Sequence, residues 1–204
     1  MFAGTLFIVS APSGAGKTSL LKALQERLDN LAMPVSCTTR AKRPGEQDGV
    51  DYHFITPADF ARRVEAGDFI EYAEVFGNRY GTLRSTLEDQ LEKDVDVVLE
   101  IDWQGARQVR AAMPEAISIF ILPPSKEALQ ARLRARGQDS DEIIEGRMRE
   151  AQAQMTHYDE YDFLLVNDVF EQALDDLELV FRANRLRQVS QCVRHGEILR
   201  DLLS

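Results

Sequence analysis

The chain has 204 residues, 44% of them hydrophobic, which is enough to bury a sizeable core in one domain with embedded subdomains. Its formal net charge of −10 argues against non-specific binding to nucleic acid or to an anionic membrane. Cys37 and Cys192 are far apart and fit no disulfide or zinc pattern, and no export signal or membrane-spanning stretch is visible. We therefore expect a cytoplasmic protein that meets any anionic ligand with local basic clusters.

An apolar run at residues 5–9 leads directly into a glycine-containing loop, where residues 10–20 read SAPSGAGKTSL. The run predicts a buried strand, and the leucines that recur at three-to-four spacing after the loop predict a helix. Backbone N–H groups of such a loop and helix N-terminus converge on a phosphate, so the segment predicts an ATP site. We expect Lys17 to reach the β and γ phosphates and the Thr18 hydroxyl to ligate Mg²⁺. The predicted ATP-binding residues of this loop are Ala11, where the usual pattern has its first glycine, Pro12, Ser13, Gly14, Ala15, Gly16, Lys17, Thr18 and Ser19.

Further apolar runs at 95–101, Ile117–Leu122 and Phe163–Val166 are each followed by a segment of helical character. They predict buried strands of a parallel sheet, and alternating strands and helices indicate a doubly wound α/β core. The last segment, 170–203, is amphipathic and is expected to form one packing helix that closes the sheet.

Two segments differ in character from this core. Residues 34–90 are rich in Gly, Thr, Tyr and Arg, and we interpret them as an inserted subdomain that binds the phosphoryl acceptor. Residues 126–157 are charged and helical with a break at Gly137, which suits a mobile lid.

The inserted segment resembles guanylate kinases in the order and spacing of its motifs. These are SCTTR at 36–40, RPGE at 43–46, GVDY at 49–52, FIEY at 69–72 and GNRYGT at 77–82. The resemblance continues through LEIDWQG at 99–105, PPS at 123–125, RLRARG at 132–137 and VND at 166–168, so it spans nearly the whole chain. It implies ATP-dependent phosphorylation of GMP to GDP by a P-loop kinase core (1–33, 91–125 and 158–204), a GMP-binding region (34–90) and a lid (126–157).

A nucleoside monophosphate needs donors for its dianionic phosphate. Arg40 and Arg43 lie on one loop, and with the hydroxyls of Tyr52 and Tyr80 they offer planar forks and neutral donors. On the resemblance, all four hold the GMP phosphate, and Glu46 of the same loop motif also belongs to the GMP site. Taken alone, two arginines in a loop are equally typical of a solvated surface.

Guanine presents N1–H and an amino group side by side, so one carboxylate accepts from both, whereas adenine offers a lone pair at N1 that repels it. On the resemblance, Glu71 does this, Ser36 hydrogen-bonds O6 and Asp102 takes the remaining base-edge donor. Thr82 matches a position where a small hydroxyl residue helps to hold base or phosphate. Without the resemblance, Glu71 would be read as a surface residue on a strand edge.

The strand at 95–101 ends in two carboxylates, Glu100 and Asp102, which simple alternation places on the same side of the sheet. This is the end of the strand at which open α/β sheets bind ligands. Glu100 is a candidate either for orienting water around Mg²⁺ or for bracing an acceptor-site arginine. The two acids could instead cap a helix or face solvent.

Phosphoryl transfer needs positive charge on the equatorial oxygens, and the lid carries several arginines. Arg132 and Arg136 are four residues apart and share a helix face, whereas Arg134 points elsewhere and is expected to be solvated. On the resemblance, Arg132, Arg136 and Arg147 close over the ATP phosphates, with Arg149 as an alternative to Arg147. The scheme needs no general base, because the GMP phosphate is already an anionic nucleophile.

Three functional hypotheses are compatible with these motifs. The first is ATP-dependent phosphorylation of GMP with Mg²⁺. The second is a P-loop kinase of another small phosphate ester, and the third is a non-catalytic phosphopeptide-binding module. The set of Ser36, Glu71 and Asp102 opposes the second, and the intact loop at Lys17 opposes the third. Asn167 resembles a position near adenine but could equally cap a strand, and the oligomeric state stays open, a homo-oligomer included.

Overall fold

The computed structural model describes residues 2–75, 77–135 and 140–204. Its strands are β1 (Leu6–Ser10), β2 (Leu31–Ala32), β3 (Cys37–Thr38), β4 (His53–Phe54), β5 (Phe69–Val75), β6 (Asn78–Leu83), β7 (Asp96–Glu100), β8 (Ile117–Leu122) and β9 (Phe163–Val166). Its helices are α1 (Lys17–Arg27), α2 (Pro57–Ala66), α3 (Arg84–Glu92), α4 (Trp103–Ala112), α5 (Lys126–Ala135), α6 (Asp141–Met155), α7 (Phe170–Arg185), α8 (Gln188–Arg194) and α9 (Gly196–Leu203). A short 3₁₀ turn, Tyr158–Glu160, follows α6.

The main sheet is parallel, with strand order β2-β7-β1-β8-β9. Strand β1 lies in its centre and is buried along its whole length, because helices cover both faces of the sheet. On one face Phe7 stacks on Phe181 of α7 with ring centroids 3.8 Å apart. On the other face Ile8 packs in a cluster with Leu87 of α3 and Val109 of α4. The predicted doubly wound α/β core is therefore confirmed.

Two details of the predicted core are wrong. Strand β9 was expected to be buried, but Phe163, Leu164 and Val166 are exposed, because β9 forms the edge of the sheet. The segment after Phe170 was expected to be one helix, but it forms α7, α8 and α9. Helix α7 packs on the sheet, whereas α8 and α9 bury none of their residues. No helix in the described part of the chain is long and apolar enough to cross a membrane.

The segment 34–90 forms a second, four-stranded sheet in the order β4-β3-β6-β5, with α2 packed beside it. The register of β5 on β6 shifts between Phe69, which faces Leu83, and Glu71, which faces Thr82. Cross-strand partners share a face, and consecutive residues on β6 point to opposite faces. This bulge therefore turns Glu71 away from the apolar cluster that contains Phe69 and aims it at Thr82.

Candidate active site

The predicted phosphate-binding loop connects β1 to α1. Gly14 and Gly16 adopt φ angles of 92° and 95°, a left-handed conformation that a glycine adopts without strain. Ala11 has no such requirement, because its φ is not positive, so the alanine in the motif is tolerated. A Cβ at Gly16 would also lie 2.4 Å from Nδ2 of Asn167. The cavity above the loop has a volume of about 280 Å³ and is lined by Ala11, Pro12, Ser13, Gly14, Gly16, Lys17, Thr18, Glu100, Asp102 and Gln154.

Lys17 is the one lysine that lines this cavity among the described residues. Its ammonium donates to the carbonyl oxygen of Ile101 at 3.5 Å and lies 3.9 Å from Oε1 of Glu100. Burial lowers the pKa of Lys17, and the nearby carboxylates of Glu100 and Asp102 oppose this shift. The ammonium group of Lys17 is thus held beside the loop. A polyphosphate bound there would compete with Glu100 and the Ile101 carbonyl oxygen for this group.

Thr18 at the start of α1 and Glu100 at the end of β7 supply oxygen atoms beside the loop. The Thr18 hydroxyl donates to Oε1 of Glu100 at 2.5 Å, so the proton of Thr18 points toward the carboxylate and its lone pairs are available elsewhere. Hydroxyl and carboxylate oxygens are the hard ligands that Mg²⁺ takes alongside phosphates and water. Within the described residues Glu100 contacts Thr18 and Lys17 rather than an arginine, so the first of its two predicted alternatives fits better.

Glu100 and Asp102 lie together at the end of β7, as expected, but alternation along the strand is not the reason. Strand β7 ends at Glu100, and Asp102 is the N-cap residue of α4, where its Oδ1 accepts from the backbone N–H of Gly105 at 2.9 Å. The strand ends before Asp102, so the period of two no longer applies. Both carboxylates nevertheless line the phosphate-binding cavity.

Glu71 lies in the acceptor region with only 5% of its surface exposed, so it is not a solvated strand-edge residue. The Thr82 hydroxyl donates to Oε1 of Glu71 at 2.7 Å, and the Ser36 hydroxyl lies 3.1 Å from that of Thr82. Burial raises the pKa of Glu71, and the hydrogen bond from Thr82 opposes this rise. The chain of hydroxyls therefore helps to keep a buried carboxylate ionised.

A second cavity, of about 290 Å³, lies beside Glu71. It is lined by Ser36, Tyr52, Glu71, Ala73, Val75, Tyr80, Glu100, Ile101 and Asp102. Two of these residues, Glu100 and Asp102, also line the phosphate-binding cavity. The structure thus brings the predicted donor and acceptor sites together along one crevice.

The predicted phosphate donors of the acceptor site gather around Arg40. Its guanidinium donates to both oxygens of Glu46, at 3.1 and 2.7 Å, and lies 5.4 Å from the ring centroid of Tyr52. The rings of Tyr52 and Tyr80 pack edge to face at 5.8 Å. Arg43 is exposed, and its backbone N–H donates to Glu46 at 2.8 Å. Arg40 holds the pKa of Glu46 below its ordinary value, so this carboxylate is anionic and is suited to orienting Arg40.

The lid arginines differ in their surroundings. Nη2 of Arg132 donates to the carbonyl oxygen of Asn167 at 2.8 Å, whereas its Nη1 is buried without a partner among the described residues. Arg134 is exposed, as expected, and pairs with Asp141. Arg136 lies outside the described residues. On α6, Arg147 is partly buried, whereas Arg149 is exposed and lies 4.0 Å from Glu145.

Asn167 follows β9 and is buried against the phosphate-binding loop. Its Nδ2 donates to the carbonyl oxygen of Ala15 at 2.7 Å, and its backbone N–H donates to that of Leu122 at 2.8 Å. Its Oδ1 is buried with no partner among the described residues. Asn167 therefore braces the loop through the carbonyl oxygen of Ala15.

Two glutamines at or beside the cavities are among the residues that the sequence does not predict. Gln154 of α6 lines the phosphate-binding cavity, and Gln108 of α4 bonds the backbone of Tyr72 next to Glu71. Both are glutamines on helices, and no local pattern distinguishes them from solvated residues. Only the packing of distant elements identifies them.

The chain is similar to proteins of one family along almost all of its length. A family model described as guanylate kinase matches residues 3–184. A guanylate kinase of Pseudomonas fluorescens (strain Pf0-1) is 60% identical over 200 residues, which cover 98% of this chain and 97% of that relative. One of Vibrio cholerae serotype O1 is 56% identical over 203 residues, with 98% of both chains covered. The crystal structure of a guanylate kinase from Anaplasma phagocytophilum matches with a TM-score of 0.74 at 36% identity, covering 92% of this chain and 89% of that one. The chain belongs to the guanylate kinase family.

Proposed function

We propose that this crevice carries out the reaction of guanylate kinases, ATP + GMP = ADP + GDP, with the residues described above in the following roles. The observation that carries this assignment is the pair of cavities that share Glu100 and Asp102. One cavity has a phosphate-binding loop, and the other has a buried carboxylate suited to guanine. A phosphate oxygen of GMP can then attack the γ-phosphorus in line, with ADP as the leaving group.

On the donor side, the N–H groups of the loop from Ala11 to Ser19 bind the ATP phosphates, and Lys17 neutralises charge on the β and γ groups. Thr18 is proposed to ligate Mg²⁺ directly and Glu100 to act through water, because the hydrogen bond between them leaves the hydroxyl lone pairs available. Mg²⁺, when bound, would neutralise charge that develops on the transferred group. Asn167 is assigned a place near adenine, and its hydrogen bond to the carbonyl oxygen of Ala15, which fixes it against the phosphate-binding loop, supports this place.

On the acceptor side, we assign the paired guanine donors to Glu71 and the remaining base-edge donor to Asp102. One oxygen of Asp102 caps α4 and the other stays available for the base. Thr82 has one proton and donates it to Glu71, so Thr82 supports the carboxylate. Ser36 must then donate to Thr82, and it turns toward guanine O6 when the base arrives.

The GMP phosphate is assigned to Arg40, Arg43, Tyr52 and Tyr80, with Glu46 orienting Arg40. The position of Arg40 over the ring of Tyr52 supports this role, because Tyr52 lines the cavity that contains Glu71. The guanidinium group of Arg40 donates two hydrogen bonds to Glu46, and its remaining N–H groups can donate to a phosphate.

Residues 126–157 are proposed to act as the lid, with 34–90 as the GMP-binding region. Arg132, Arg136 and Arg147 would close over the ATP phosphates and exclude water, which would otherwise hydrolyse ATP. The buried Nη1 of Arg132, which has no partner in the described part of the chain, supports this role, since it still has a hydrogen to donate. We also propose a cytoplasmic location, because the reaction draws on the cellular pools of ATP and GMP.

A coupled assay of ADP formation from ATP, run with GMP, AMP, CMP and UMP in parallel, tests the function. We expect turnover with GMP to exceed that with each of the other three by at least about 10²-fold, because only guanine presents two donors to a carboxylate. Comparable rates with all four would favour a kinase of another phosphate ester. Phosphopeptide binding without any turnover would favour the non-catalytic module.

A further inference from the structure

Gln108 joins α4 to the edge strand of the small sheet. Its side-chain Oε1 accepts from the backbone N–H of Tyr72 at 3.1 Å, and its Nε2 donates to the Tyr72 carbonyl oxygen at 2.8 Å. Strand β5 is the last strand of the order β4-β3-β6-β5. Within the described part of the chain, the backbone of Tyr72 therefore faces no neighbouring strand on its outer side. One amide therefore supplies both hydrogen bonds that a further strand would make.

The two hydrogen bonds between Gln108 and Tyr72 connect the strand that carries Glu71 to the helix that Asp102 caps, and both of these carboxylates are assigned to the base. Tyr72 directly follows Glu71 on β5, and Gln108 lies on the helix that Asp102 caps. The first turn of that helix approaches Glu71 closely, since a Cβ at Gly105 would lie 3.1 Å from Oε2 of Glu71. Gln108 is three residues beyond Gly105 and so lies on the same helix face, one turn farther along.

The local ladder of β5 is irregular, because its register on β6 shifts just before Glu71. A slip of one residue along β6 would turn each side chain of β5 to the other face and would take Glu71 away from Thr82. A bidentate bond from a rigid helix to the next residue opposes such a slip. It also fixes how far the strand carrying Glu71 lies from the helix carrying Asp102.

We propose that Gln108 is a positioning residue that sets the separation of Glu71 and Asp102 and thereby the preference of the acceptor site for guanine. It acts through Tyr72 and touches no reacting group. The inference rests on the proposed function, because it assigns the selectivity of that same site.

The test compares Gln108→Met, which keeps the length of the side chain and removes both hydrogen bonds, with Gln108→Glu, which keeps the acceptor for the Tyr72 N–H. Gln172→Met, at an exposed position on α7, is the matched control. Steady-state kinetics with GMP and with AMP give kcat and KM for each variant, and thermal unfolding gives its stability.

We expect Gln108→Met to raise KM for GMP about tenfold with kcat changed less than about twofold, and to narrow the GMP/AMP ratio of kcat/KM by about the same factor. Gln108→Glu is expected to fall between Gln108→Met and the parent chain, and KM for ATP and the Gln172→Met control are expected to stay unchanged. If Gln108→Met does not fold, the narrowed ratio in Gln108→Glu decides.

An unchanged GMP/AMP ratio overturns the proposal, also when both activities fall in parallel, since that is the signature of a purely structural role. The parent chain separates this failure from a failure of the proposed function. A parent that prefers GMP while the variants keep its ratio contradicts only the role of Gln108. A parent that does not phosphorylate GMP contradicts the function itself.

Discussion

The hydroxyl of Thr82 donates a hydrogen bond to Oε1 of Glu71 at 2.7 Å, and this bond uses the one proton that Thr82 has. The hydroxyls of Ser36 and Thr82 lie 3.1 Å apart, and Ser36 must therefore donate the hydrogen bond between them. A buried carboxylate is costly to ionise without such donors. The relay of two hydroxyls thus keeps Glu71 an acceptor until guanine supplies its own N–H groups.

Replacing Thr82 by valine tests this relay. Thr82→Val keeps the shape and removes the donor, which we expect to lower kcat/KM for GMP about tenfold, because a buried hydrogen bond to a charged group is lost. The pKa of Glu71, already raised by burial, should rise further, so activity is lost earlier as the pH falls. A profile of kcat/KM against pH should show a deficit that grows as the pH falls. Thr82→Ser restores the donor and should stay within about twofold of the parent; a serine variant as impaired as the valine one would contradict the relay.

Replacing Lys17 by methionine tests the donor site. Lys17→Met should lower kcat by about 10²-fold or more, since charge stabilisation of about 3–4 kcal/mol is lost in the transition state. The dissociation constant of GMP, measured by calorimetry, should change little, because the acceptor cavity does not include Lys17. Lys22→Met, at an exposed position on the same helix, is the control. An unaltered kcat in Lys17→Met would remove the loop from the mechanism.

Asn167 is expected to affect ATP and not GMP. Asn167→Ala removes the hydrogen bond to the Ala15 carbonyl oxygen. It also removes the buried Oδ1, which has no partner among the described residues, so KM for ATP should rise about tenfold. The control is Asn184→Ala, since the buried Asn184 also donates its amide to a backbone carbonyl oxygen, that of Val180, away from the site. Both variants should lose stability, and only the first should change KM for ATP. Equal kinetic effects in the two would show that Asn167 has no special role.

Glu160 should make stability depend on pH. It accepts from Arg107 at 2.8 Å and contacts Arg110 and His157. The hydrogen bond from Arg107 and, after it, that from His157 lower the pKa of Glu160 from 4.5 to about 2, although burial opposes this shift. A carboxyl with a lowered folded pKa stabilises the fold above its unfolded pKa, and this contribution is lost as the pH falls from 4.5 toward 2.

Urea unfolding tests this dependence in Glu160→Gln. We expect the variant to be less stable than the parent by about 1 kcal/mol at pH 7, a modest value because solvent screens the cluster. The difference should shrink between pH 5 and pH 3. Glu197→Gln is the control, because the Glu197 side chain is 93% exposed and its contact with Arg200 is 4.0 Å long. A difference that does not vary with pH would contradict the account.

Local patterns predicted the parts of this protein that depend on local physics. The loop at Lys17 and the helix after it follow from glycine conformation and apolar spacing, and both are confirmed. The position of Asp102 at the N-cap of α4 could not be predicted from alternation, because the strand ends at Glu100. Gln108 could not be found at all, because its partner is 36 residues away in sequence.

Edges and ends of elements were the least predictable features of the fold. An apolar run such as Phe163–Val166 can form a central strand or an edge strand, and its composition does not distinguish the two. The exposure of β9 follows from its place in the strand order. The break between α7 and α8 follows Arg185, whose side chain is bonded to Asp96 at 2.7 Å. That contact spans 89 residues and leaves no mark in the local sequence.

The central claim is that Glu71 reads guanine, and kinetics of Glu71→Gln with GMP and AMP test it most directly. The amide keeps the shape and replaces one acceptor oxygen by an NH₂ group that faces a guanine donor. We predict that kcat/KM for GMP falls by about 30- to 1000-fold, a loss of about 2–4 kcal/mol, while AMP gains relative to GMP and KM for ATP changes little. Equal losses for GMP and AMP, or an unchanged kcat/KM for GMP, would contradict the claim.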